Sequence, residues 1–284
     1  MRSRRNHDTG AKCTVVPFLK WAGGKRWLTA QYSHLLPVRF DRYIEPFLGS
    51  GAVFFYLQPR TALLSDNNAE LINTYVQVRS NWQKVRRSLH RHQSKHNTKY
   101  YYDERARQHQ VQYEKAAQFI YLNRTCWNGL YRVNRNGQFN VPKGTKSAVL
   151  LPSDDFETVS YLLKRARLLA VDFETSIARA RAGDFVFVDP PYVTRHNFNG
   201  FLRYNDKIFS WNDQVRLHSA VAAAAHRGVM LLVTNAANRS IFELYQGIGQ
   251  RVTLRRSSVL AADSNDRGVV SEVAFMINYA VKPN

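Results

Sequence analysis

The sequence predicts an α/β fold in which strands alternate with helices, with a mainly helical basic module inserted into it. Three observations carry this reading. Short apolar runs end in acidic residues, helical patterns follow them, and a central stretch breaks the alternation. From Val15 the chain opens with a short extended segment, followed by "WAGGKRWL" and a helix behind it. "RYIE" reads as a strand, the glycine-rich piece after it as a turn, "AVFFYL" as the start of a helix and "ALLS" as a second strand. Together they make a β-turn-α-β unit.

Residues 77 to about 110 carry a dense basic load with weak helical periodicity, and "EKAAQFIYLNRTCWNGLYRVNRNGQFNVPKG" mixes an apolar helix start with Asn- and Gly-rich loops. The alternation then resumes. "LLPSDDFETVSYLLKRARLLAV" reads as a helix leading to a strand near Val171, and "DFVFV" as a strand. In "SWNDQVRLHSAVAAAAHRG", Ser210 and Asp213 have capping-box spacing and Gly228 marks the stop. "VMLLVTN" and "EVAFMINYAV" supply further strands. The expected organisation is a basic, flexible tail over 1–14, a catalytic domain from 15–75 and 150–284, and an inserted module over 76–149.

Composition narrows the partner. The 284 residues hold 41 Lys plus Arg against 21 Asp plus Glu, a formal net charge of +20. With Tyr, Trp and His interleaved among the bases, a polyanionic partner is expected. The two cysteines, Cys13 and Cys126, lie far apart without CxxC spacing, so neither a disulfide framework nor a metal site is expected. The N-terminus has no apolar segment behind it, no run is long enough to span a membrane, and the cytoplasm is the expected compartment.

Four stretches could carry chemistry. In "EPFLGSGAVFF", Gly49 and Gly51 follow a strand and open a helix, where a ligand can come close to the backbone; a plain tight turn explains them equally well. Asp66 ends the next strand, where an acid can accept both hydroxyls of a ribose, so the pair suggests an adenosine-containing ligand. Neither GxGxxG nor GxxxxGK[ST] is present, which argues against a phosphate ligand. In "FLKWAGGKRWL", Lys20, Trp21 and Lys25 crowd around a Gly-Gly turn. Finally, Asp189-Pro190-Pro191-Tyr192 follows an apolar strand. The prolines hold the Asp189 carboxylate and the Pro190 carbonyl rigidly as acceptors. That arrangement suits a donor with two hydrogens, such as the exocyclic amine of a base stacked on Tyr192. An aromatic amine is a poor nucleophile; accepting both its protons returns the lone pair for attack on an electrophilic methyl group.

"FLKWAGGKRWL", "EPFLGSGAVFF", "LLSDNNAELI", "LNRTCWNGLYRVNRNGQFNVPKG", "VDFE" and "FVFVDPPY", in this order, resemble the Dam-type (D12 class) DNA adenine-N6 methyltransferases. The resemblance implies a Rossmann-like S-adenosylmethionine-dependent methyltransferase domain and no metal. It places Trp21, Lys25, Phe47, Gly49, Gly51, Asp66, Asp172, Phe173 and Asp189 at the cofactor, and Asp189, Pro190, Pro191 and Tyr192 at a flipped adenine. The inserted module becomes a target-recognition domain for double-stranded DNA. Lys20, Leu130, Arg132 and Pro142 would read GATC, Trp127 would insert into the duplex, and Arg124, Asn128 and Asn134 would touch bases or phosphate. Two departures bear on the target. "PKGTK" stands where many relatives have an aromatic followed by Gly-Arg, so Lys143 or Lys146 would replace a basic contact missing at Thr145. The segment after the catalytic turn, which is expected to order on DNA over "VTRHNF", lacks the Leu-Ser of some relatives.

A dehydrogenase, a zinc deaminase and a cytosine-C5 enzyme are excluded by the turn spacing, by the absence of H-x-E with P-C-x-x-C, and by the absence of Pro-Cys. A cytosine-N4 methyltransferase, which usually has Ser in place of Asp189, and an inactive DNA-binding relative remain as alternatives. The expected protein is a monomer in a bacterial cytoplasm or encoded by a phage, with a companion restriction endonuclease as a further partner.

Overall fold

The structure is a computed structural model that describes residues 15–134, 136–193, 209–257 and 269–280. The expectations for the tail over 1–14 and for residues 194–198 of "VTRHNF" lie outside these residues. The described strands are β1 (Tyr43–Glu45), β2 (Ala62–Asp66), β3 (Ala166–Ala170), β4 (Phe185–Val188), β5 (Met230–Ala236), β6 (Gln250–Ser257) and β7 (Val269–Ile277). They form one sheet in the order β3-β2-β1-β4-β5-β7-β6. β1 to β5 pair in parallel, and β7 runs antiparallel to both β5 and β6. β1 and β4 are buried along their whole length, as parallel strands covered on both faces must be. They are neighbours despite their separation in sequence. The strand order reverses between them, and the crevice outside their C-terminal ends is where such sheets hold ligands.

Helices α1 (Arg26–Gln31), α2 (Ala52–Leu57), α3 (Ala69–Lys95), α4 (Thr98–Ala106), α5 (Gln112–Thr125), α6 (Phe156–Leu163), α7 (Phe173–Ile177), α8 (Trp211–His226) and α9 (Arg239–Leu244) surround the sheet. Alternation along β4 shows the two layers. Val186 and Val188 pack with Ile177, Val221 and Ile241 of α7, α8 and α9. Phe185 and Phe187 join a core with Leu28, Phe54, Tyr75, Ile120 and Leu163. The capping box forms, with Ser210 Oγ accepting from Asp213 N at 3.2 Å and Asp213 Oδ2 from Ser210 N at 2.8 Å.

The weakly periodic basic stretch is two helices: α3 runs to Lys95 with a bend at Asn81, and α4 follows. Asn68 caps α3, which then passes residue 76 without a break. Because α3 packs on the sheet at one end and on α5 along its length, the inserted helices and the α/β layer share one apolar core. The strand expected near Val171 is β3, which ends at Ala170.

Arg124 joins the two parts. Its side chain is almost wholly inaccessible, and all five N–H donors are engaged. Nη1 and Nη2 each reach the Asp154 carboxylate at 2.6 Å, Nη1 also donates to Val149 O at 2.7 Å, and Nε and Nη2 donate to Phe18 O at 3.2 and 2.8 Å. This corrects the expectation of a DNA contact at Arg124. A guanidinium buried with every donor satisfied has nothing left for a phosphate, and it instead fastens α5 to the segments entering and leaving the sheet. Arg124→Ala should destabilise the protein by about 3–5 kcal/mol in denaturant unfolding, because Asp154 is left buried and unpaired. A loss below about 1 kcal/mol, the scale of an exposed pair, would contradict this role.

Candidate active site

The loops leaving β1 and β4 meet at the reversal point and carry "EPFLGSG" and "DPPY". Asp189 is held at Oδ1 by two donors, Lys25 Nζ at 2.8 Å and Thr234 Oγ1 at 2.7 Å, while Tyr192 OH, whose single proton goes to Glu272, lies 3.3 Å away. Burial pushes the Asp189 carboxyl above its ordinary range, against the opposing pull of Lys25 and Thr234.

Glu272 on β7 completes this group and has no counterpart in the sequence reading. Its carboxylate accepts from Tyr192 OH at 2.5 Å and lies 3.6 Å from Lys25 Nζ. Lys25 also stands 4.9 Å from the centre of the Tyr192 ring, so one face of the expected stacking platform is covered and its hydroxyl is engaged. Burial, then the charges of Asp189 and Glu272, raise the Tyr192 phenol well above its usual value. A second buried acid, Glu45, accepts from Tyr43 OH at 2.9 Å, and burial raises it well above the carboxylate range. The only sequence signal for Glu272 is an acid opening the apolar strand "EVAFMI".

On the other side of the crevice, Gly49 donates its N–H to Asp66 Oδ2 at 3.2 Å, while Asp66 Oδ1 accepts from Asn68 N at 3.0 Å. Burial raises the Asp66 carboxyl, with these amides opposing. Gly49 has φ of 47°, and a Cβ there would come within 2.7 Å of the Trp21 ring. Trp21 therefore lies directly on the turn. Gly51 opens α2 in the left-handed region. Phe47 stacks on Phe173 at 5.4 Å and meets Phe209 edge-on at 5.7 Å. Phe173 is thus part of the packed wall, with the Arg216 guanidinium 5.0 Å above it. Asp172 caps α7 through Glu174 N at 2.9 Å and pairs with Arg216 at 3.2 Å.

The recognition candidates gather at a neighbouring surface. Asn123, another residue missed in the sequence, grips both backbone groups of Lys20: Oδ1 accepts from Lys20 N at 2.9 Å and Nδ2 donates to Lys20 O at 2.7 Å. A Cβ on Gly129 would touch Lys20 Cβ at 3.0 Å, so the lysine is pinned beside the Trp127–Gly129 turn. Burial first, then the charge of Lys146, lowers the Lys20 pKa. Trp127 is 51% exposed and its backbone N–H donates to Pro142 O at 2.9 Å. Asn128 has φ of 53°, and Leu130 packs against the core. Beyond it Val133 bridges Phe139, and Arg132 Nε donates to Asn140 Oδ1 at 2.8 Å on an exposed hairpin. Asn134 differs from expectation: its Oδ1 accepts from Asn136 N and Gln138 N and its Nδ2 donates to Gln138 Oε1, so its amide holds the hairpin turn.

A model of the family described as D12 class N6 adenine-specific DNA methyltransferase matches residues 21–257. The chain belongs to this family. The D12 chain is 34% identical over 278 residues to the type II methyltransferase M1.LlaDCHI of Lactococcus lactis subsp. cremoris, covering 94% of this chain and 97% of that one. It is 33% identical to the type II methyltransferase M.MjaIII of Methanocaldococcus jannaschii, at 93% and 99% coverage. It is 30% identical to the DNA adenine methylase of Escherichia coli strain K12, at 90% and 93% coverage. It is an enzyme of DNA adenine-N6 methylation, with DNA as substrate.

The methyl donor implied by the family is S-adenosylmethionine, and the crevice suits it. The Gly49 backbone lies bare against Trp21, and the Asp66 carboxylate is oriented by two backbone amides with lone pairs to spare. Among the described residues no helix is long and apolar enough to cross a membrane.

A carboxyl group accepts an amine proton only as the carboxylate. The folded-state pKa of Asp189 is raised, so its carboxylate form is lost as pH falls through that raised value. Single-turnover transfer rates measured against pH should show an acid limb above the usual aspartate value of about 3.9. A limb at or below that value would contradict the role of burial.

Proposed function

We propose that the enzyme binds GATC in double-stranded DNA, rotates the adenine out of the helix and methylates N6 in the crevice between β1 and β4. The observation that carries this reading is the anchoring of Asp189 through Oδ1 by Lys25 and Thr234, from which this reading takes Oδ2 as the acceptor for the amine. Asp189 Oδ2 and Pro190 O accept the two amine hydrogens and hold N6 with its lone pair directed at the methyl group. S-adenosylmethionine, when bound, supplies that methyl as an electrophile on sulfur. As the N–C bond forms and the C–S bond breaks, N6 becomes cationic and sheds a proton to Asp189. The face of Tyr192 turned away from Lys25 is the stacking platform, and Asp66, Trp21, Gly49, Gly51, Phe47, Asp172 and Phe173 frame the cofactor.

Extracting a base costs a few kcal/mol, which groove contacts and insertion of the exposed Trp127 offset. Lys20, Leu130, Arg132 and Pro142 form the reading edge, and Arg132 suits a guanine by its paired donors. The module over 76–149 is then the target-recognition domain. The type II names of two relatives support a companion restriction endonuclease acting at the same site.

Expression in a methylation-free bacterial host, followed by mapping of N6-methyladenine over the genome, tests this directly. Methylation of nearly every GATC is expected. A different modified motif would remove the GATC assignment and leave the transfer mechanism standing, whereas folded protein with no modified adenine anywhere would overturn the mechanism.

A further inference from the structure

The strongest feature outside the catalytic crevice is a basic groove at the opposite end of the sheet. Arg42, Lys164, Arg165, Arg167, Arg179 and Arg181 line a depression of about 700 Å³. Arg42 directly precedes β1, Arg167 lies at the start of β3, and Arg179 and Arg181 stand in the connection from α7 to β4. Asp66 and Asp189 leave the other ends of β2 and β4, so roughly 13 Å of strand separates the two edges. The groove therefore lies at the edge of the sheet opposite Asp66 and Asp189.

Its charge is poorly compensated. Arg42 pairs with Asp184 at 2.6 Å, and Arg165 donates to Tyr161 OH at 2.7 Å. Lys164, Arg167, Arg179 and Arg181 are exposed and have no acidic partner among the described residues. Arg167 on the edge strand β3 has a local explanation, since charge there discourages pairing with other chains. That explanation does not reach the other five. Planar guanidinium groups gathered with little counter-charge match phosphodiester oxygens, which they can grip in pairs. The polymer at hand is the enzyme's own substrate.

We propose that this groove is a second DNA-binding surface, taking the phosphate backbone of a duplex segment other than the one being methylated. It keeps the enzyme on long DNA between turnovers and reads no sequence. The test is the variant R165Q/R167Q/R179Q/R181Q, whose replaced side chains are all exposed. Single-turnover methylation of a short duplex should be unchanged, showing that the crevice is intact. On long DNA, the slope of log affinity against log salt should fall by about 2–4, at about 0.9 for each phosphate no longer neutralised, and fewer sites should be methylated per encounter. An unchanged slope would overturn the proposal. A second measurement needs no variant. Unaltered protein held on an immobilised short target duplex at low salt should capture a second, labelled duplex, and failure to capture it would also overturn the proposal.

Discussion

One ammonium group holds the catalytic edge together. Lys25 Nζ lies 2.8 Å from Asp189 and 3.6 Å from Glu272, so it ties the segment before α1 to the ends of β4 and β7. Two carboxylates that share one site repel each other, and the ammonium beside both offsets that repulsion. The same lysine covers Tyr192, whose hydroxyl donates to Glu272 and lies 3.3 Å from Asp189. Orientation of Asp189 is therefore a property of the whole fold, since it needs β4, β5, β7 and the N-terminal segment in register. The prolines that follow make the turn stiff, and Lys25 and Thr234 aim it.

The Gly49 turn and the Trp127–Gly129 turn are joined through residues only one position apart. Trp21 lies against Gly49 and stacks on Tyr131 of the recognition hairpin at 5.8 Å. Lys20 beside it is clasped by Asn123. Tyr131 in turn donates to Glu70 in the first turn of α3, the helix that follows Asp66. Packed rings thus connect the hairpin to the wall of the crevice at Gly49. Arg124 and Asp154 keep the inserted helices from moving independently of that wall.

What is legible in the sequence is what local chemistry decides. The strand ends at Asp66 and Asp189, the glycine turn at Gly49 and the Ser210 capping box each need only neighbouring residues to be recognised, and the structure has each of them. The order of the sheet and the roles of Glu272, Thr234 and Asn123 depend on partners far away in the chain, so no spacing betrays them. Arg124 misleads for the same reason. Beside an Asn- and Gly-rich loop it looks exposed, and only the arrival of Phe18, Val149 and Asp154 buries it. Asn134 likewise has the residue type of a base contact, but its immediate neighbours recruit its amide for the turn.

The central claim is that Asp189 Oδ2 and Pro190 O together receive the amine of the extruded adenine. The most direct measurement is a crystal structure of the enzyme with a target duplex and a non-reactive analogue of the methyl donor. The adenine N6 is predicted at hydrogen-bond distance, about 2.7–3.2 Å, from both oxygens, with Lys25 and Thr234 still on Oδ1. An adenine bound in the crevice with N6 directed away from Asp189, or a carboxylate turned from Lys25 to meet it, would contradict the account.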